Sequence, residues 1–224
     1  MIFSYAQQGT GGRISLSTQT LGDIDVQHLA TYSAGSQGRG GNINLNAVGE
    51  ITLNNIASYG NAASGDVALL SQAGNITTGT IQTLAPSGVS GNINLQTLPS
   101  IRGDIRTANI TSAGGLGAGD IYIVAADGSI ITGNITTDGG AGRGGRVVVD
   151  AGGSVNTGNI TSTGAQGGSD ITVSSGTGEI NTGVIATPGE KLQSILAQLP
   201  PAATRTHSSA KRTDTACTRL STPA

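Results

Sequence analysis

The 224-residue sequence contains no Trp, a single Cys and very few other aromatic residues. One Cys excludes an intrachain disulfide, which fits a reducing compartment and equally fits Cys-poor bacterial surface proteins. Charged residues make up only 11 % of the chain, so charge-driven disorder is excluded. No run of 18 apolar residues occurs, and the formal net charge is −2. We therefore expect neither membrane insertion nor a nucleic-acid partner.

Glycine is abundant instead, with 37 residues, but it keeps no strict three-residue period, which excludes collagen. The apolar residues are mostly Ile, Val, Leu and Ala, which favours strands. Charge divides the chain in two. Residues 1–187 hold six Arg against eleven Asp or Glu, about −5, whereas residues 188–224 hold five Lys or Arg against two acids, about +3.

Three short motifs return in the same order about every 25 residues in residues 1–187. The first is GRISLST (12–18), GNINLNA (41–47), GDVALLS (65–71), GNINLQT (91–97), GDIYIVA (119–125), GRVVVDA (145–151) and SDITVSS (169–175). The second is GDIDV (22–26), GEITL (49–53), GNITT (74–78), GDIRT (103–107), GSIIT (128–132), GSVNT (153–157) and GEINT (178–182). The third begins at Ile2, Leu29, Ile56, Ile81, Ile110, Ile135, Ile160 and Ile185.

Each motif alternates apolar and polar residues, which is typical of a strand with one buried face. Gly79, Gly133, Gly158 and Gly183 separate the second and third strands, where we expect sharp bends that a side chain would hinder. Three strands repeated in a fixed order wind as a coil, so the pattern predicts an all-β, parallel β-helix of about seven coils. We expect a right hand, because right-handed crossovers dominate parallel connections. Seven coils at about 4.8 Å each give a rod of about 34 Å.

One column of hydroxyl residues lies two residues after each third-motif apolar position. It comprises Ser4, Thr31, Ser58, Thr83, Ser112, Thr137, Ser162 and Thr187. Their parity with the Ile residues places them inward, where we expect bonds to turn backbone or to each other. An outward Thr array that orders ice is the alternative, and parity argues against it.

A second column precedes the first-motif apolar residue, and alternating charges along it should each help by well under 1 kcal/mol. It comprises Arg13, Asn42, Asp66, Asn92, Asp120, Arg146 and Asp170. Some right-handed β-helices that cleave polysaccharides group carboxylates, with a cation or Arg, on an outer face. Asp66, Asp120, Arg146 and Asp170 are the candidates for such chemistry. A straight column does not converge on one point, so we expect a solvated face and assign no catalytic residue.

The remaining motifs favour no metal or cofactor site. His28 is expected to face outward, and it forms no metal set with the distant His207 and Cys217. The segment GGLGAGDIY (114–122) resembles a calcium-binding nonapeptide, but its Asp falls one place late. Four NIT triplets are formal glycosylation acceptors that we expect to remain unmodified strand residues, at Asn75, Asn109, Asn134 and Asn159.

The two ends differ from the repeats. The chain opens inside a third-motif strand, so we expect it to be a piece of a longer repeat protein. Residues 188–200 form a predicted helix, with capping-box spacing between Thr187 and Glu190 and prolines at its end. Its apolar face, formed by Leu192, Ile195, Leu196 and Leu199, either caps the last coil or belongs to a linker helix. Residues 201–224 lack any period and are expected to be disordered, as a frameshifted gene end would be.

The repeats resemble those of filamentous-haemagglutinin-like exoproteins, the secreted partners of two-partner secretion systems. The recurring G-[ND]-I-x-L-x-A and G-x-I-x-T-G-x-I-x-T strands carry this resemblance, as in GNINLNA and GSIITGNITT, over about residues 2–187. Cyanobacterial members of the family have such Gly-, Asn- and Thr-rich coils. The resemblance implies export through a two-partner outer-membrane transporter, an extracellular or cell-surface location, and an adhesive or spacer role toward glycans or other cell-surface components. The family's secretion domain has no counterpart in these residues.

The sequence therefore predicts a structural or adhesive β-helical segment of a surface exoprotein, without enzymatic activity and without a cofactor. A polysaccharide-active β-helix enzyme is the first alternative. A non-functional gene fragment is the second, and it predicts an insoluble or unsecreted product.

Overall fold

The computed structural model describes residues 1–99 and 102–188. These residues contain twenty strands, β1 to β20 in chain order, and no helix. All strand pairs are parallel and join equivalent segments of successive repeats, so the chain winds as a β-solenoid of about seven turns. The predicted all-β parallel solenoid is confirmed. The predicted helix, beyond its first residue, and the predicted disordered tail lie outside the described residues.

Each turn has three faces, which follow the three sequence motifs in order. The first face is β2 (Ile14–Ser17), β4 (Ile43–Ala47), β6 (Val67–Ser71), β9 (Ile93–Thr97), β12 (Ile121–Ala125), β15 (Val147–Ala151) and β18 (Ile171–Ser175). The second and third faces share the long strands β3 (Ile24–Ser33) and β5 (Ile51–Gly60). The second face continues with β7 (Ile76–Thr78), β10 (Ile105–Thr107), β13 (Ile130–Thr132), β16 (Val155–Thr157) and β19 (Ile180–Thr182). The third adds β1 (Ile2–Ala6), β8 (Ile81–Ala85), β11 (Ile110–Gly114), β14 (Ile135–Asp138), β17 (Ile160–Thr163) and β20 (Ile185–Ala186).

The register follows the repeat without a slip. Ile110 pairs with Ile81 on one side and Ile135 on the other, and Ile160 pairs with Ile135 and Ile185. The eight third-motif positions therefore form one continuous column, as their spacing predicted. Register is strongly specified in such strands, because a one-residue slip would turn every apolar side chain toward solvent.

The core is a set of stacked aliphatic columns inside the coil. In β12 the side chains of Ile121, Ile123 and Ala125 are fully buried, while Tyr122 and Val124 between them face outward. The same alternation recurs in β6 and β9. Each Ile or Leu buried in this way contributes about 1.5–3 kcal/mol of hydrophobic free energy. Because every coil adds similar columns, the core is continuous along the whole rod.

The bends between the second and third faces lie at the predicted glycines, but for a different reason than expected. None of Gly79, Gly133, Gly158 and Gly183 has a left-handed φ angle. A Cβ at Gly158 would instead lie 2.5 Å from the side-chain oxygen of Asn134 in the preceding coil. Gly133 and Gly183 meet the oxygens of Asn109 and Asn159 in the same way. Glycine is required there because an asparagine occupies the space.

An aromatic stack marks the outer side of the third face in the first coils. The ring of Tyr32 lies 5.6 Å from that of Tyr5 and 4.7 Å from that of Tyr59, and the planes are nearly parallel. Phe3 packs beside Tyr5 at 6.3 Å. Register pairing places the tyrosines on successive coils, so they cover each other's ring faces. This stack stabilises the third face in the first coils, whereas the later coils carry Leu84, Ala113, Asp138 and Thr163 at the same position.

Candidate functional site

Polar side chains collect at the corners where one face of the coil turns into the next. We call the turn from the third face to the first the first corner, that from the first to the second face the second corner, and that from the second to the third face the third corner. We describe these corner residues first, because the inward side of each face is aliphatic, and then the outward side chains of the faces.

The hydroxyl column defined by the eight Ser and Thr positions lies inside the first corner. Its six inner members, from Thr31 to Ser162, are at most 1 % exposed, which confirms the inward orientation predicted from parity. Ser4 and Thr187 at the two ends are partly exposed. The inner hydroxyls donate to backbone carbonyls of the turn, as expected, so the buried inner members are satisfied. At the end of the column the Oγ1 atom of Thr187 is buried without a hydrogen-bond partner among the described residues.

The hydroxyl column joins the coils in pairs. A Thr and the Ser of the next coil both donate to one glycine carbonyl, and this arrangement occurs three times. The pairs are Thr31 and Ser58 on Gly41 (2.6 and 3.0 Å), Thr83 and Ser112 on Gly91 (2.8 and 3.1 Å), and Thr137 and Ser162 on Gly145 (2.9 and 2.9 Å). The hydrogen-bonding unit of this corner is therefore two coils long, although the strand repeat is one coil long.

The Ser and Thr members of the hydroxyl column form different sets of hydrogen bonds. Each inner Ser also accepts a backbone N–H from the start of the next first-face segment. The donors are Gly65 to Ser58 (2.8 Å), Gly119 to Ser112 (3.0 Å) and Ser169 to Ser162 (2.8 Å). No such N–H reaches an inner Thr among the described residues. The strict alternation of Ser and Thr is visible in the sequence, but the hydrogen-bonding unit of two coils that it forms was not predicted.

The column that precedes the first-motif apolar residue, from Arg13 to Asp170, lies at the outer side of the first corner. Its carboxylates accept backbone N–H groups of the next coil. Asp66 accepts the N–H of Asn92 at 2.8 Å, and Asp120 accepts that of Arg146 at 2.7 Å. Asn92 accepts the N–H of Asp120 in the same manner at 2.8 Å. The small stabilisation expected from alternating charges stays a prediction. Within the described residues Asp120 and Arg146 meet through carboxylate and backbone N–H, not through an ion pair.

A third column, which we call the asparagine column, occupies the outer side of the third corner. Asn109 accepts the N–H of Asn134, Asn134 that of Asn159, and Asn159 that of Val184, at 2.8–2.9 Å. Asn55 accepts the N–H of Thr80 at 3.1 Å. Three of these residues were noticed in the sequence only as glycosylation triplets. Their common position, directly before a buried Ile, was the signal that could have revealed the column.

The second corner repeats this arrangement with more varied residues. Asp23 accepts the N–H of Glu50 at 2.7 Å, and Asn75 accepts that of Asp104 at 2.8 Å. Asp104 also forms an ion pair with Arg106 at 3.0 Å. All three corners thus use a side-chain oxygen in one coil to receive a backbone N–H of the next.

The candidate catalytic carboxylates do not converge. Asp66, Asp120 and Asp170 lie along the rod axis, with Asn92 or Arg146 on the coil between them. Tyr122 donates to the second oxygen of Asp120 at 3.3 Å. A hydrolytic centre needs an acid and a base facing one reacting bond, and this column does not provide that geometry.

A shallow, open hollow of about 480 Å³ lies over the second corner of the later coils. Asp150 is the one acidic side chain that lines it, and the hydroxyl of Ser174 donates to that carboxylate at 2.6 Å. Alanines and glycines form most of its remaining wall, beside Thr172. The hollow therefore offers one hydrogen-bonded carboxylate and the hydroxyl residues Thr172, Ser174 and Ser175, not a pair of opposed acids.

The other predicted features are placed as follows. His28 faces outward at the third corner and lies 3.4 Å from the amide nitrogen of Asn55. His207 and Cys217 lie outside the described residues. Within residues 1–99 and 102–188, no cluster of His, Cys, Asp or Glu has the composition of a metal site, and no helix has the length and hydropathy needed to span a bilayer.

Compared with protein-family models, curated proteins and solved structures, the chain matches none.

Proposed function

We propose that this chain is a structural and adhesive segment of a secreted surface exoprotein of the filamentous-haemagglutinin type. Its work is geometric: a stiff rod holds binding surfaces away from a cell or presents a long polar face to glycans and other surface components. Export then uses a two-partner outer-membrane transporter, and the location is extracellular or at the cell surface.

The observation that carries the proposal is the use of the corner residues. At every corner, side-chain oxygens that could bind a substrate accept backbone N–H groups of the next coil instead. Together with an uninterrupted aliphatic core, these bonds join each turn to its neighbour along the rod. Such an arrangement favours a spacer, because stiffness in a repeat protein comes from the contacts between adjacent repeats.

We also propose that the solenoid is right-handed. Parallel strands joined by crossovers overwhelmingly take this hand, since a right-twisted strand returns to its sheet most easily in that sense. An experimental electron-density map of the purified protein would decide the hand directly, and a left-handed coil would overturn this part of the proposal.

The test of the function combines location with activity. Antibodies against the chain should label intact cells of its source and detect the protein in the medium, and purified protein should adhere to cell-surface material. A double variant, Asp120→Asn with Asp170→Asn, should adhere as the wild type does. Recovery of the protein only inside cells would overturn the proposal. So would release of reducing sugar ends from a polysaccharide that the double variant abolishes, since that result identifies an enzyme.

A further inference from the structure

The asparagine column at the third corner carries hydrogen-bond donors that the fold does not use. Asn109, Asn134 and Asn159 occupy three consecutive coils, and all three side chains are exposed. Each Oδ1 atom accepts a backbone N–H, so the amide orientation is fixed and Nδ2 faces away from the coil. Among the described residues none of the three Nδ2 atoms has a hydrogen-bond partner. Each therefore presents two free N–H donors to solvent.

The coil-to-coil bond does not require those donors. At the first corner, Asp66 and Asp120 perform the same task with a carboxylate, at distances of 2.8 and 2.7 Å. A carboxylate is the stronger acceptor, because hydrogen bonds to charged groups are shorter and more favourable. Aspartates on successive coils would repel each other, but the first corner avoids this by placing Asn or Arg between its Asp residues. The third corner has no Asp at any of these three positions, so its amide nitrogens are surplus to the needs of the fold.

The surroundings of the asparagine column are mostly neutral, and Arg106, the charged residue beside its first coil, is held in an ion pair. Thr111, Thr136 and Thr161 pair along one side of it on the third face. Ile131, Asn156 and Asn181 pair along the other side on the second face, continuing from Arg106. The guanidinium of Arg106 is already engaged by Asp104 at 3.0 Å. The stripe therefore offers amide and hydroxyl groups without a free cation, which suits a neutral ligand rich in oxygen acceptors.

We propose that the third corner from Asn109 to Asn159 binds an extended strand of neutral polysaccharide. The strand lies along the rod axis, and its hydroxyl and ring oxygens accept hydrogen bonds from the Nδ2 groups. Donors recur once per coil, about every 4.8 Å. A linear glycan repeats its oxygens at an interval of the same order. The proposal rests on the proposed adhesive function and names the ligand class for that function.

The test uses the full-length purified protein and a short linear oligomer of β-1,4-linked glucose, with a uronate oligomer as the charged comparison. Titration of the glucose oligomer should shift the side-chain NH₂ resonances of the three asparagines in nitrogen-15 NMR spectra. Asn134→Asp keeps an oxygen for the N–H of Asn159 but removes two donors. It should weaken binding at least about fivefold, the equivalent of one lost neutral hydrogen bond, and leave the melting temperature unchanged.

Asn55→Asp is the matched control. It makes the same chemical change in the asparagine column outside the proposed site, where Asn55 accepts the N–H of Thr80 at 3.1 Å and pairs with His28 on the preceding coil, and it should leave glucan binding unchanged. Absence of glucan binding, stronger binding of the uronate oligomer, or equal loss in both variants would overturn the site. Failure of the site leaves a surface location intact, whereas glucan binding by a protein found only inside cells would retain the site and overturn the proposed function.

Discussion

The hydroxyl column and the asparagine column run side by side along the same rod but distribute their hydrogen bonds differently. The inner hydroxyls are buried, and a Thr and a Ser share one glycine carbonyl, so the coils are linked in pairs. The asparagines are exposed and give one bond to each successive coil, with their nitrogens left to solvent. Both columns satisfy backbone groups at a bend. The difference shows that solvent access decides how completely a corner must satisfy its polar atoms.

The largest effect on stability should come from introducing an aspartate into the core, compared with introducing one at the neighbouring exposed corner position. Ile135 is fully buried, whereas its neighbour Asn134 is exposed. Ile135→Asp buries an unpaired charge and should cost at least about 4 kcal/mol of unfolding free energy. Asn134→Asp retains the bond to the next coil and should change that free energy by less than about 1 kcal/mol. Urea unfolding followed by far-ultraviolet circular dichroism measures both, and equal midpoints would contradict the assignment of the two sides.

A smaller effect should separate the Ser and Thr members of the hydroxyl column. Ser162→Ala leaves the N–H of Ser169 without its acceptor at a partly buried corner and should cost about 1–3 kcal/mol. Thr137→Val removes one of the two donors to the carbonyl of Gly145 and should cost less than about 1 kcal/mol. Thermal unfolding of the two variants tests the two-coil unit. A larger loss for Thr137→Val would show that the coils are not linked in pairs as described.

The sequence was sufficient to predict the coil and its core, because the buried apolar residues recur at a regular spacing that is visible in the sequence. Ile81, Ile110 and Ile135 were placed in one column from spacing alone, and parity placed Ser112 and Thr137 inside. Partners across coils were less predictable. Which carbonyl a hydroxyl reaches depends on turn geometry, and turn lengths vary between repeats.

The corner residues show why polar patterns were harder to interpret. Asp120 and Arg146 look like a charge pair in the sequence, yet the carboxylate accepts the N–H of Arg146. A backbone donor is invisible in a sequence, because every residue except proline carries one. The link between Gly158 and Asn134 was missed for the same reason, since it joins two coils through space.

Loss of one exposed link should have a modest effect. Asn134→Ala removes the acceptor for the N–H of Asn159, but water can replace it at an exposed corner. We expect a loss of about 0.5–1 kcal/mol, below that of Ser162→Ala, because the stranded donor is not desolvated. Asn156→Ala serves as the control, since that exposed side chain faces solvent from the second face. Chemical unfolding compares the three, and a loss for Asn134→Ala that equals or exceeds that of Ser162→Ala would remove the distinction between the two columns.

The smallest effect should come from Asp120→Asn at the first corner. The new amide oxygen accepts the N–H of Arg146 as the carboxylate does, and Asn92 already performs this task one coil earlier. The free energy of unfolding should therefore change by less than about 0.5 kcal/mol, and the difference should not depend on salt. If alternating charges stabilised this column instead, the variant would lose stability at low salt and regain parity with the wild type at high salt. Melting temperatures at two ionic strengths distinguish a column held by backbone hydrogen bonds from one held by charge.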